Sequence, residues 1–148
     1  MAIRCLLIDD SRHFLEAARH LLEQEGISVV GTASTGTEAV CRAEELRPEL
    51  VLLDICLGGD CGLELAHLLT QVARTTPPQG SWRPSIILTS THAEEDYADL
   101  IADSDAVGFL SKPALSADAI RALLASGAID APATGRPYGP GASPVRWF

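Results

Sequence analysis

No apolar run in this sequence approaches the roughly 18 residues needed to cross a bilayer as a helix, so no membrane-spanning segment is expected. Basic residues are in short supply: 11 Lys and Arg stand against 20 Asp and Glu, for a net charge of −9. That balance leaves no cationic footprint for nucleic-acid phosphates or for anionic lipid, so direct DNA binding is not expected. Aromatic residues make up only 5% of the chain, and with 47% apolar residues the interior should be aliphatic. Cys5, Cys41, Cys56 and Cys61 form no CxxC pair, and the chain opens on a strand pattern instead of a secretory leader. The expected compartment is the reducing cytoplasm. Spacing alone assigns no zinc or redox role to Cys56 and Cys61.

What is present is enough for one domain: 148 residues can enclose a single sizeable core. The last 22 residues differ in kind, with four glycines, four prolines and no apolar period. The expected division is a folded domain over residues 1–126 and a Gly/Pro-rich, disordered tail over 127–148.

Within the domain, apolar runs of strand length alternate with amphipathic segments of helix length. Residues 3–8, 27–30, 50–53, 85–88 and 107–110 read as strands. The first helix carries Phe14, Ala17, Ala18, Leu21 and Leu22, and Gly26 stops it. The second carries Ala39, Val40, Ala43 and Leu46, and Pro48 prevents its continuation. The third presents Leu63, Leu65, Ala66, Leu68 and Leu69. A weak acidic helix is expected over 93–103, and a fifth from the N-cap Ser116 to Gly127, bearing Ile120, Leu123 and Leu124. Between the third helix and the fourth strand, TTPPQGSWRP reads as a long surface loop. Five strands alternating with five helices call for an α/β, doubly wound parallel sheet with right-handed crossovers.

Leu50 to Leu53 is apolar without alternation, as in a strand buried on both faces, and Asp54 stands where that strand emerges. Ile3 to Ile8 ends likewise, in Asp9 and Asp10. Placing these carboxylates on adjacent strands at a topological switch point gives the strand order 2-1-3-4-5. Converging carboxylates repel, so the cluster makes sense with a hard, oxygen-loving cation such as Mg²⁺. Thr89 ends the fourth strand and Lys112 follows the fifth. A nucleophilic carboxylate, a cation, a hydroxyl and a lysine are the parts needed to handle a phosphoryl group.

In this order, LLIDD, LVLLDICLGGDCGLEL, IILTS and GFLSKP resemble the receiver domain of two-component response regulators, with its flavodoxin-like (CheY-like) fold. The resemblance implies a response regulator that takes a phosphoryl group on Asp54 from a sensor histidine kinase or phosphotransfer protein, and signals through protein contacts. It implies Mg²⁺ held directly by Asp10, Asp54 and the Cys56 backbone carbonyl, with Asp9 acting through water. Thr89 would be the switch hydroxyl, Lys112 the phosphate-pairing cation and Phe109 the aromatic that moves with Thr89. The face of the fourth helix, fifth strand and fifth helix, including Tyr97 and Leu100, would meet a downstream partner or a second copy of the chain. The Lys112–Pro113 bond would be cis.

Two positions depart from the family pattern. Gly58 stands where a proline is usual, and Phe109 where tyrosine is common. The opening IRCLLIDDSRHFLEAARHLL is most similar to receivers that precede a LuxR-type DNA-binding domain, and no such domain is expected after residue 126. Two other readings stand beside the first. One is a pseudo-receiver, an interaction module that is not phosphorylated. The other is an aspartyl-phosphate phosphatase of the haloacid-dehalogenase kind, disfavoured because Asp9-Asp10-Ser11 lacks the DxD spacing.

Overall fold

A computed structural model describes residues 2–57, 60–78, 81–91 and 98–133, with the backbone alone for 60, 98, 100 and 126–133. Along the chain run β1 (Arg4–Ile8), α1 (Arg12–Gln24), β2 (Ser28–Ala33), α2 (Gly36–Leu46) and β3 (Leu50–Asp54). A short antiparallel pair, β4 (Cys56–Leu57) and β5 (Asp60–Cys61), leads into α3 (Gly62–Thr75). Then follow β6 (Ser85–Ser90), α4 (Ala98–Ala102), β7 (Gly108–Ser111) and α5 (Ala117–Ala133). The five long strands pair in parallel in the order β2-β1-β3-β6-β7, which is the expected 2-1-3-4-5.

The uninterrupted apolar runs are explained by the two faces they must cover. Leu6, Ile8, Val51, Leu53, Ile86, Leu88 and Phe109 point to the side of α2, α3 and α4. Cys5, Leu7, Leu50, Leu52 and Ile87 alternate with them and meet Leu15, Ala18 and Leu22 of α1 and Ile120 and Leu123 of α5. Each fully buried leucine or isoleucine contributes about 1.5–3 kcal/mol by leaving water. Among the described residues, no helix is long and apolar enough to cross a membrane.

The helix ends follow local chemistry. Ser11 caps α1 by accepting from the Phe14 N–H at 3.2 Å, and Thr35 caps α2 by accepting from the Glu38 N–H at 3.1 Å. Glu38 reaches back to accept from the Ser34 N–H at 2.9 Å. Ser116 accepts from the Ala119 N–H at 3.0 Å, as an N-cap should. Gly26, at φ +95°, provides the left-handed turn that stops α1.

Several expectations are corrected. In α1 Leu15 is buried and Ala17 faces solvent, while in α3 Leu68 is 47% exposed. A helix of period 3.6 touches the sheet along a stripe narrower than its apolar pattern. β2 extends to Ala33, three residues beyond its apolar run, because Leu6, Leu7 and Ile8 continue to pair with Gly31, Thr32 and Ala33. Helix α5 continues through Gly127 to Ala133. A glycine inside a helix costs only about 1 kcal/mol, and the flanking alanines favour continuation. Of the expected 127–148 tail, residues 134–148 lie outside the described residues, as do Gly58, Gly59 and residues 93–97 of the acidic helix, Tyr97 among them, and the side chain of Leu100. The Lys112–Pro113 bond is trans. Residues Lys112–Ala114 instead wind into a 3-10 turn closed by the Leu115 N–H on the Lys112 carbonyl at 3.2 Å, which trans geometry allows.

The proline-rich connection is not a bare surface loop. Trp82 is 6% exposed in the core beside α3, and its indole N–H donates to the Pro48 carbonyl at 2.8 Å. Arg47 donates to the Pro77 carbonyl at 3.0 Å, tying the same segment to the end of α2.

Candidate functional site

The parallel register brings the strand ends to one edge. Ile8 lies beside Leu53 and Ala33, and Asp54 beside Thr89, which in turn lies beside Leu110. Residues paired in register point to the same face, so the Asp54 and Thr89 side chains share one side of the sheet edge. Both are buried, as is Asp9, whereas Asp10 is exposed.

Asp9 is set by a turn: its Oδ1 accepts from the Ser11 N–H at 2.8 Å, the step that begins α1. Asp54 Oδ1 accepts from the Cys56 N–H at 3.1 Å. The loop beyond is drawn tight because Gly62 packs onto the backbone of Asp54 and Ile55. A Cβ at Gly62 would stand 2.7 Å from Ile55 Cα and overlap the Asp54 carbonyl oxygen. Its N–H donates to the Ile55 carbonyl at 2.6 Å, so glycine is required by close approach at the start of α3.

Lys112 reaches across the cluster. Its Nζ lies 2.6 Å from Asp9 Oδ2 and 3.5 Å from Asp54 Oδ2, and 4.6 Å from the centre of the Phe14 ring. Burial opposes the lysine's charge, but close contact with Asp9 and the charges of Asp54 and Asp9 prevail and raise its pKa. Asp54 is also pushed upward, first by burial and then by the negative charge of Asp9, with Lys112 and the Cys56 N–H pulling the other way. One ammonium thus pairs with two of the three carboxylates, Asp9 and Asp54, and the anionic charge is incompletely offset.

The donor set fits a hard divalent cation. One carboxylate oxygen from each of Asp9, Asp10 and Asp54 lies within 4.8 Å of the others, and this is the one such cluster among the described residues. Asp9 Oδ2 is buried, and the Lys112 ammonium 2.6 Å away is the counter-charge it meets. All-oxygen, anionic ligation is the chemistry of Mg²⁺ or Ca²⁺ and not of a thiophilic metal.

The edge therefore assembles Asp9, Asp10, Asp54, Thr89 and Lys112, named from sequence. Phe109 is not among them: it is 4% exposed, pairs with Leu88 and packs on the opposite face from Leu110. Cys56 lies beside the cluster and contributes its N–H to Asp54. Sequence reasoning missed the roles of Phe14, read as core stripe, and of Gly62, read only as the start of the third helix. The only available signal for Phe14 was an aromatic one turn into the helix that follows Asp10. His13, His20 and His67 are exposed, and His67 pairs with Asp105 at 2.9 Å; His92 lies outside the described residues.

The chain is similar to known proteins in sequence and in fold. The transcriptional regulatory protein LiaR of Bacillus subtilis is 36% identical over 124 residues, covering 81% of this chain and 55% of LiaR. The chain thus spans about half the length of that curated relative. A LuxR-family two-component response regulator from Aurantimonas is 26% identical with a TM-score of 0.71, covering 86% of each chain. A response regulator from Burkholderia pseudomallei, solved with a phosphorylated aspartic acid, a calcium ion and citrate, is 25% identical with a TM-score of 0.70, covering 90% of this chain and 73% of that one. The model of the response regulator receiver domain matches residues 5–125. With those residues spanning all but the first residue of the five-stranded sheet, and its whole carboxylate edge, the chain belongs to the response regulator receiver domain family.

Proposed function

We propose that Asp54 is the phosphoacceptor, receiving its phosphoryl group from the phosphohistidine of a sensor histidine kinase or phosphotransfer protein. The observation that carries this reading is the convergence at one sheet edge of a buried carboxylate, two further carboxylates, an in-register hydroxyl and a lysine. An Asp54 oxygen forms a bond to phosphorus as the phosphorus–nitrogen bond of the donor breaks. The Cys56 N–H holds Oδ1, which leaves Oδ2, facing Lys112, as the attacking atom. Lys112 then exchanges part of its contact with Asp54 for a phosphoryl oxygen, and the Thr89 hydroxyl donates to another.

Asp10 and Asp54 would hold Mg²⁺ directly, together with the Cys56 backbone carbonyl, and Asp9 would act mainly through water. When bound, the ion offsets charge on the phosphoryl oxygens. Phe109 is proposed to respond to Thr89. It is already buried against Leu88, so any signal must come from repacking and not from a swing out of solvent. Output passes through the face of α4, β7 and α5 to a protein partner or a second copy of the chain, and the net charge of −9 supports protein contact over direct DNA contact. Function in the cytoplasm accords with this chemistry.

Treatment with Mg²⁺ and acetyl phosphate, followed by intact mass spectrometry, tests the proposal. One phosphoryl group should be gained by the wild type and none by Asp54→Asn. Equal uptake by the two would overturn the assignment, and no uptake by the wild type would favour a pseudo-receiver.

A further inference from the structure

Four cysteines are free: Cys5 is buried, and Cys41, Cys56 and Cys61 are exposed. Spacing in the sequence gave the last two no relation, but the fold sets them directly opposite each other. Cys56 and Cys61 are partners in the antiparallel β4–β5 pair. The kind of pair is fixed by neighbouring hydrogen bonds. The Gly62 N–H donates to the Ile55 carbonyl at 2.6 Å, one step outside the cysteines, while the Cys56 N–H turns to Asp54 Oδ1 at 3.1 Å. Cys56 and Cys61 therefore form a non-hydrogen-bonded pair, the kind in which Cα atoms approach to about 4.5 Å with side chains close on one face. A disulfide needs Cα atoms about 4.4–6.8 Å apart, a range that the spacing of such pairs falls within.

We propose that Cys56 and Cys61 are a dithiol–disulfide pair, oxidised by a hydroperoxide, that locks the two strands following Asp54. The sulfur of one cysteine attacks the peroxide O–O bond, becoming a sulfenic acid as an alcohol or water leaves. The second sulfur displaces the sulfenic oxygen as water, with the two thiol protons taken up by the departing oxygens. The sulfurs together lose two electrons and the peroxide is reduced by two. The cross-link joins the residue whose N–H holds Asp54 to the N-cap of α3, a cap with no side-chain hydrogen bond to lose. Cys41 is the competing partner, because it lines the same surface cavity as Cys61, between α2 and α3.

The fully reduced chain, treated with stoichiometric hydrogen peroxide and digested, provides the test. The peptide carrying both cysteines should lose two hydrogens, regain them with dithiothreitol, and do the same in Cys41→Ser. Cys56→Ser and Cys61→Ser should each abolish the loss, and circular dichroism of both variants separates this from misfolding. A Cys41–Cys61 link, a link between two chains, or sulfinic acid without a cross-link would overturn the proposal. The readout does not involve phosphoryl uptake, so it stands or falls separately from the role of Asp54.

Discussion

The two ends of the central sheet are built on opposite principles. At the N-terminal end the polar groups of Arg4 and Trp82 each have matched partners. Arg4 donates to the Leu46 and Arg47 carbonyls at 2.6 and 2.8 Å, and Trp82 donates to the Pro48 carbonyl. At the C-terminal end three carboxylates converge, Lys112 pairs with only two of them, Asp9 and Asp54, and burial beside Asp9 raises the Asp54 pKa. Charge frustration is thus confined to the edge where ligands of open α/β sheets bind, while the other edge supports the fold.

The largest effect that would break this comparison belongs to the supporting end. Trp82→Ala removes a buried indole and its hydrogen bond and should cost about 4 kcal/mol in chemical denaturation. Phosphoryl uptake per folded molecule should be unchanged. Next comes Lys112→Ala, which leaves Asp9 and Asp54 without their ammonium. It should cost about 3 kcal/mol and also slow phosphoryl uptake, separating the two ends by assay.

A smaller effect has the opposite sign. Because folding raises the Asp54 pKa, the native state binds more protons than the unfolded chain, and the ionised carboxylate destabilises the fold. That penalty is absent below the ordinary carboxylate pKa and complete above the raised one. Asp54→Asn should therefore raise the thermal midpoint at neutral pH, and the gain should shrink as the pH falls toward 4. A gain that persists unchanged in acid would contradict the electrostatic cause.

The smallest effect lies in the core between the two ends. Burial pushes the Cys5 thiol up to about 12. In the native, reduced chain a thiol reagent near pH 8 should label Cys41, Cys56 and Cys61 and spare Cys5 until denaturant is added.

How far the sequence reveals these ends differs in the same way. The placing of Asp9, Asp10, Asp54, Thr89 and Lys112 was legible because each stands within two residues of the end of an apolar strand run, and parallel strands deliver their ends to one edge. Trp82 was hidden in a polar, proline-rich stretch, since its partner Pro48 is 34 residues away and no local pattern announces a long-range contact. The role of Gly62 was hidden because a glycine at a helix start does not announce a close approach until the Asp54 backbone is seen against it. Ala17 and Leu68 were misplaced because helical period gives the direction of a face but not the width of its contact. Cys56 and Cys61 were unrelated by spacing because strand register, and not sequence distance, made them neighbours.

The claim that the frustrated end is a cation site is tested most directly by thermal unfolding during a Mg²⁺ titration. A ligand that binds only the folded state stabilises it by about 2.7 kcal/mol at a hundredfold excess over its Kd. The thermal midpoint should rise with Mg²⁺ in the wild type and in Trp82→Phe, and stay nearly flat in Asp10→Asn. A wild-type midpoint indifferent to Mg²⁺, or an equal rise in Asp10→Asn, would contradict the account.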